Sequence, residues 1–275
     1  MWVIASSKSA SVTRHKHPLV PNVTHVGPLC VLEIQQFPTK GNPMTDPTPT
    51  PAAAPVPVPK VTHMYILVDT SGSMESIASD VIGGFNQTVA EQAQNGPDAK
   101  LTVIQFDSQD PAHVMYAGIP IAEMTKMDRA SYQPRGGTPL LDATGLLIGR
   151  IRVEQAARVA TGLQTEDVVF VTITDGQENQ SREYNLARVT QLIEQCKAEG
   201  WTFVYLSAAL TAYADAAAMG YDHGSTQRFQ PTADGSGKAF ASMSRSMSSL
   251  RDKKRAMESY DTALFFETGK DAEDK

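Results

Sequence analysis

Three oxygen-bearing side chains follow an apolar run, residues 65–68, with a spacing that suggests a cation site. They are Asp69, Ser71 and Ser73, which stand at alternate positions. Alternate residues that leave the end of a strand point the same way, so the three side chains can present oxygens to one point. Gly72 lies between them and permits a tight turn. Oxygen ligands of this kind suit Mg²⁺, Mn²⁺ or Ca²⁺, whereas zinc prefers nitrogen and sulfur.

Two further segments supply oxygens at comparable places. Thr138 follows the glycine pair 136–137 and precedes Pro139. This is a favourable helix start, with a hydroxyl at the N-cap and proline in the first turn. Asp175 follows the apolar run 168–173. In an open α/β sheet, ligands bind beyond the carboxyl ends of the strands. The sequence therefore predicts one metal site made by Asp69, Ser71, Ser73, Thr138 and Asp175.

Apolar runs alternate with amphipathic segments from His63 onward. Runs rich in β-branched and aromatic residues suit strands buried on both faces of a sheet; they span 65–68, 101–106, 168–173 and 203–206. A more mixed run, 113–121, suits an edge strand. Apolar residues at helical spacing predict helices that include 77–89, 140–151, 186–196 and 240–250. The predicted fold class is α/β, with a doubly wound, mostly parallel central sheet, helices on both faces and one antiparallel edge strand.

The composition changes near residue 60. Residues 1–60 show no sustained period and become rich in proline from Pro43, which predicts a disordered, extended N-terminal segment. Residues 61–255 form the predicted domain, and 256–275 a C-terminal tail. Residues before Met44 have no evident structural role, so Met44 or Met64 is an alternative translation start that intact mass would test.

Bulk properties restrict the possible partners. The net charge of −6 argues against a general nucleic-acid binder, which should be basic. The sequence predicts no membrane association, because it contains no apolar stretch of spanning length and no signal-peptide core. The two cysteines, Cys30 and Cys196, form no disulfide framework. These features together predict a cytoplasmic protein.

The metal-site residues, in their order and context, resemble the metal-ion-dependent adhesion site of von Willebrand factor A (VWA) domains. The resemblance runs from about His63 to at least Ser207. It implies a Rossmann-like VWA fold, in which the serines and the threonine act as direct or near-direct ligands and the aspartates bind directly or through water. It also implies that the Asp or Glu of a partner protein completes the coordination of the metal, without catalysis. Integrin β domains carry acidic residues for a second metal where this chain has Ser76 and Ile77, so a single metal is expected.

The segments around Asn86, Asp107 and Asn179 also resemble a bacterial and phage group of stand-alone VWA proteins. This resemblance leaves two kinds of partner open: a stress-response or AAA+-type ATPase assembly, or a host or virion component bound by a phage or mobile-element protein. An enzymatic alternative is an aspartate-nucleophile phosphatase or phosphotransferase of the haloacid dehalogenase type, with Asp69 as nucleophile. That chemistry needs a second carboxylate two residues later, where this chain has Ser71. We therefore expect no enzymatic activity.

Overall fold

A computed structural model describes residues 60–270 of the chain. Residues 1–59 of the predicted disordered segment, which include Cys30, lie outside these residues. Cys196 lies inside them and is fully buried. Within residues 60–270, none of the helices combines the length and the apolarity needed to cross a lipid bilayer.

Six strands form a single sheet, in the order β3-β2-β1-β4-β5-β6. Their bounds are Thr62–Asp69 (β1), Ala99–Phe106 (β2), His113–Pro120 (β3), Asp167–Thr174 (β4), Thr202–Ser207 (β5) and Thr226–Arg228 (β6). Strand β3 pairs antiparallel with β2, and every other pairing is parallel. The predicted fold class is confirmed, including the antiparallel edge strand.

Helices cover both faces of this sheet. They are Ala78–Gln94 (α1), Leu140–Ala160 (α2), Leu186–Ala198 (α3), Ala212–Met219 (α4) and Ala233–Ala256 (α5). Apolar residues of α1 and α5 share one buried cluster with one face of the sheet, and those of α2, α3 and α4 share a second cluster with the other face. Strand β1 shows why both clusters form: Ile66 and Val68 belong to the first, and Tyr65 and Leu67 to the second.

The segment after α5 contributes to the core. Phe265 and Phe266 are buried, and both belong to the cluster that α1 and α5 cover. The Phe266 amide donates to the Gly224 carbonyl at 3.0 Å, which fastens the segment beside β6. Residues 262–266 of the stretch that the sequence assigns to a tail therefore pack on the domain.

Candidate metal centre

The candidate metal centre lies at the carboxyl ends of two neighbouring strands. Strands β1 and β4 pair in parallel, so their last residues reach the same edge of the sheet. Asp69 is the last residue of β1, and Asp175 follows β4 directly. A short 3-10 helix, Gly72–Ile77, joins β1 to α1. Sheet pairing thus brings two carboxylates that are distant in sequence to one place.

Hydrogen bonds connect four of the five candidate residues. The Ser71 backbone amide donates to Asp69 Oδ1 at 2.7 Å. The hydroxyl oxygens of Ser71 and Ser73 lie 3.1 Å apart, and Ser73 Oγ donates to Asp175 Oδ1 at 2.7 Å. The hydroxyls of Ser71 and Ser73 therefore lie between the two carboxylates.

Thr138 completes the group. A methyl group placed on the α-carbon of Gly176 would lie 3.6 Å from both Ser73 Oγ and Thr138 Oγ1. The Gly72 amide also donates to the Gly136 carbonyl at 3.0 Å, which joins the second loop to the first. The structure thus brings together oxygens from all three predicted loops.

The helix after Thr138 begins differently from the prediction. Helix α2 starts at Leu140 with Pro139 at the N-cap, and no side chain caps it. The predicted capping role of Thr138 is therefore wrong. The Thr138 amide instead donates to Asn179 Oδ1 at 2.9 Å, and the Thr138 carbonyl accepts from the Asn179 amide at 3.1 Å. These two bonds hold the Thr138 loop against the Asp175 loop.

The structure adds two supporting residues that the sequence analysis missed. Thr174 Oγ1 donates to Asp69 Oδ2 at 2.6 Å, and the Tyr132 hydroxyl donates to the Asp69 carbonyl at 2.6 Å. Thr174 had a usable signal, because it ends a predicted strand next to Asp175. Tyr132 had none, because it stands in a loop without periodicity.

Glu178 holds the Asp175 loop together from within. Its Oε1 accepts hydrogen bonds from the backbone amides of Gln180 and Ser181, and its Oε2 accepts from the Leu141 amide and the Ser181 hydroxyl. Four hydrogen bonds satisfy this carboxylate, so Glu178 stabilises the conformation of the loop. The hydroxyls of Ser71 and Ser73, by contrast, lie between the carboxylates of Asp69 and Asp175.

The electrostatics of the centre are those of uncompensated negative charge. Burial raises the pKa of Asp69 to about 6, although Thr174 and Ser71 donate hydrogen bonds to it. Burial also raises the pKa of Asp175, despite the hydrogen bond from Ser73. Neither carboxylate forms an ion pair with a basic side chain of residues 60–270. A cation at this point would supply the missing compensation.

The donor set fits a hard divalent cation. It consists of two carboxylates and three hydroxyls, which are the oxygen ligands that Mg²⁺, Mn²⁺ and Ca²⁺ take. In the described part of the chain, no three His, Cys, Asp or Glu side chains cluster in a way that could hold a metal. A metal held at this edge of the sheet would therefore need the hydroxyls of Ser71, Ser73 and Thr138 as ligands.

Comparison with known proteins gives similarity in structure alone. No family model matches the sequence. No curated protein matches it either. Similar solved structures include a pilus adhesin, SpaC from Lactobacillus rhamnosus GG in an open conformation, with a TM-score of 0.52 and 13% identity over 70% of this chain and 30% of the adhesin. This chain thus corresponds to less than a third of that protein.

Two further similar structures have lower scores. The VWA domain of SpRpn10 has a TM-score of 0.45 and 10% identity, over 66% of this chain and 94% of that one. The manganese-loaded TRAP protein from Plasmodium vivax has a TM-score of 0.44 and 16% identity, over 62% of this chain and 69% of that one. At such identities the likeness concerns the fold alone.

Proposed function

We propose that this chain binds another protein through a divalent cation held by Asp69, Ser71, Ser73, Thr138 and Asp175. The observation that carries the proposal is the convergence of these side chains, from three loops, at the carboxyl edge of the sheet. Mg²⁺ is the first candidate, and Mn²⁺ or Ca²⁺ would use the same oxygens.

The five proposed ligands differ in charge. The hydroxyls of Ser71, Ser73 and Thr138 are neutral ligands, and Asp69 and Asp175 bring the negative charge. Five side-chain oxygens do not fill an octahedral shell of six, so one position remains for a water molecule that an external oxygen can replace. When bound, the cation supplies a Lewis-acidic position that the Asp or Glu of a partner can occupy. Binding would then depend on both the cation and the carboxylate.

The surroundings of Asp69 favour a binding role over the phosphatase alternative. Its side chain is fully buried, and its two carboxylate oxygens accept hydrogen bonds from the Ser71 amide and Thr174 Oγ1. A nucleophilic carboxylate must instead reach the phosphorus atom of a substrate. Ser71 also stands where a general acid would be needed. If the protein hydrolyses phosphate esters and Asp69→Asn abolishes that activity, the phosphatase assignment replaces the binding role.

The proposed partner is a protein that presents Asp or Glu, rather than a nucleic acid or a membrane. A stress-response or AAA+-type ATPase assembly is the first candidate in a cytoplasmic setting. A host or virion component, bound by a phage or mobile-element protein, is the second. The neighbouring genes separate these two, because an ATPase or a tellurite-resistance gene beside this one favours the first.

Calorimetry tests the metal site directly. Mg²⁺ or Mn²⁺ is titrated into metal-stripped protein, into Ser71→Ala/Ser73→Ala and into Ser79→Ala. The last variant is the control, because Ser79 is an exposed serine in the same segment and its hydroxyl forms no hydrogen bond with the five candidate residues. We expect one cation per chain for the wild type and the control, and at least tenfold weaker binding for Ser71→Ala/Ser73→Ala. Equal binding by all three proteins would contradict the assignment.

Affinity capture from native lysate then tests the role of the metal in partner binding. The full chain serves as bait in Mg²⁺ and in EDTA, and the Ser71→Ala/Ser73→Ala variant serves as bait in Mg²⁺. We expect the specific partner in the first sample alone. A partner retained equally in all three samples would show that binding does not pass through the cation.

A further inference from the structure

A cleft beside the candidate metal centre is lined by both apolar and acidic side chains. It measures ≈ 350 Å³, and we call it the α4 cleft. The residues that line it include Leu140, Leu141, Leu186, Met219, Gln177 and Asp215. Four of these six side chains are apolar, and Leu186 is 43% exposed although it is a leucine.

The α4 cleft is continuous with the loops of the metal centre. Leu140 follows Thr138 by two residues, and Gln177 follows Asp175 by two residues. Gln177 Nε2 donates to Thr211 Oγ1 at 2.9 Å, so the Asp175 loop is bonded to the residue before α4. One extended peptide, which advances about 3.3–3.6 Å per residue, can therefore reach both places.

Asp215 gives the α4 cleft a negative charge. Its Oδ2 accepts a hydrogen bond from Thr211 Oγ1 at 2.6 Å, which is the one hydrogen bond to this carboxylate from residues 60–270. No basic side chain of those residues forms an ion pair with it. Glu178, the other carboxylate beside the cleft, is already satisfied by four hydrogen bonds. The second oxygen of Asp215 accepts no hydrogen bond from residues 60–270 and can therefore accept one from a ligand.

We propose that the α4 cleft binds a lysine or arginine side chain of the same partner segment that presents its carboxylate to the metal centre. Such a side chain has an apolar stem, which suits the walls formed by Leu140, Leu186 and Met219, and a cationic tip that complements Asp215. A leucine would fill the same space but would leave the Asp215 carboxylate against apolar atoms. The inference rests on the proposed function, because the metal centre is what brings the segment to this edge.

Synthetic peptides test this preference. Each is a nonapeptide of Gly and Ser with one Glu and, one to three residues away, either Lys or norleucine, which has the same stem without the charge. Binding is measured by fluorescence anisotropy in Mg²⁺ and in EDTA. We expect the Lys peptide of the best spacing to bind about five- to tenfold more tightly than its norleucine twin in Mg²⁺.

Two variants test whether Asp215 causes the preference for Lys. Asp215→Asn keeps an oxygen for Thr211 and removes the charge, so we expect it to abolish the preference for Lys while the norleucine peptide binds as before. Glu91→Gln is the matched control, because it removes one negative charge from α1 on the opposite face of the sheet. We expect it to keep the preference.

The outcomes separate this inference from the proposed function. If Glu peptides bind in Mg²⁺ and not in EDTA, yet Lys and norleucine twins bind equally, the assignment of the α4 cleft is overturned and the metal-dependent function stands. A preference for Lys that survives Asp215→Asn also overturns it. If no peptide needs the cation for binding, the proposed function fails, and the inference fails with it.

Discussion

Thr174 Oγ1 donates a hydrogen bond of 2.6 Å to Asp69 Oδ2, across the β1–β4 pair. The two residues are 105 positions apart in sequence, and both side chains are fully buried. The bond leaves Asp69 oriented by two donors, because the Ser71 amide holds its other oxygen. Strand pairing therefore sets the position of a carboxylate on which the proposed site depends.

Removing the Thr174 hydroxyl tests this relationship. We expect Thr174→Val to destabilise the protein by about 1–3 kcal/mol, because it leaves a buried carboxylate oxygen without its donor. We also expect weaker Mg²⁺ binding, since Asp69 loses its fixed orientation. Urea unfolding in EDTA measures the first effect and calorimetry the second. Thr174→Ser keeps the hydroxyl and should behave as the wild type in Mg²⁺ binding; a Val variant with wild-type affinity would rule out the orienting role.

A pair of neighbouring glycines tests the packing of α1 on α5. A side chain at Gly84 would collide with the Phe240 ring, whereas nothing lies within 4 Å of the same position at Gly83. We expect Gly84→Ala to cost about 1–3 kcal/mol of the free energy of unfolding through overpacking. Gly83→Ala should add about 0.5–1 kcal/mol through helix propensity. Thermal unfolding compares them, and equal shifts for both variants would refute this packing.

Much of the fold could be predicted from the sequence, for reasons that particular elements make clear. Strands β1, β2, β4 and β5 are buried on both faces, so they appear as continuous apolar runs. Helix α4 was missed because its alanine-rich sequence, AYADAAAM, has no apolar stripe, and β6 because three residues carry no period. The proximity of the five candidate residues could be predicted because side chains that follow parallel strands meet at the carboxyl edge of the sheet. Their role as metal ligands stays a prediction.

Other features of the site depend on contacts that no local pattern encodes. Tyr132 reaches the Asp69 carbonyl from a loop 63 residues away in sequence. The capping prediction for Thr138 is wrong because Asn179 already binds the Thr138 backbone, and Pro139 occupies the N-cap. Tertiary contacts of this kind outweigh the local preference of a hydroxyl for a helix start.

An ion-pair network around Glu166, at the opposite edge of the sheet, makes the free energy of unfolding depend on pH in the acidic range. Glu166 accepts from His63 at 2.9 Å, Lys100 at 2.7 Å and Arg158 at 2.9 Å. Burial opposes the ionisation of Glu166, but the hydrogen bonds from His63 and Lys100 outweigh it and lower its pKa to about 2. Because this pKa is below that of an unfolded glutamate, about 4.3, the network stabilises the fold above that pH.

We therefore expect Glu166 to contribute stability that is lost as the pH falls from about 4.3 towards 2. Glu166→Gln should remove this dependence and cost about 3 kcal/mol at neutral pH, because the partly exposed Lys100 and Arg158 lose their buried carboxylate partner. Urea unfolding at several pH values measures both effects. Glu199→Gln is the control, because Glu199 forms one ion pair, with Arg152, and is about half exposed. An unchanged acid limb in Glu166→Gln would contradict the assignment.

Asp69 should give the opposite pH dependence in metal-free protein. Burial raises its folded pKa to about 6, whereas an unfolded aspartate titrates near 3.9. Its favourable contribution is then complete below pH ~3.9 and is lost as the pH rises to about 6, by about 3 kcal/mol. Subtracting the unfolding free energies of Asp69→Asn from those of the wild type in EDTA isolates this term, because other carboxylates titrate in both proteins.

Mg²⁺ should reverse the loss, because a cation that binds the folded state alone raises the free energy of unfolding. Above pH 6 we expect the wild type to gain stability with rising Mg²⁺ concentration and Asp69→Asn to gain much less, because the variant lacks one of the two carboxylates that would hold the ion. The same urea titrations with and without Mg²⁺ provide the measurement. Equal gains for both proteins would place any bound cation elsewhere on the chain, and a flat difference curve in EDTA would mean that Asp69 is compensated in the absence of metal.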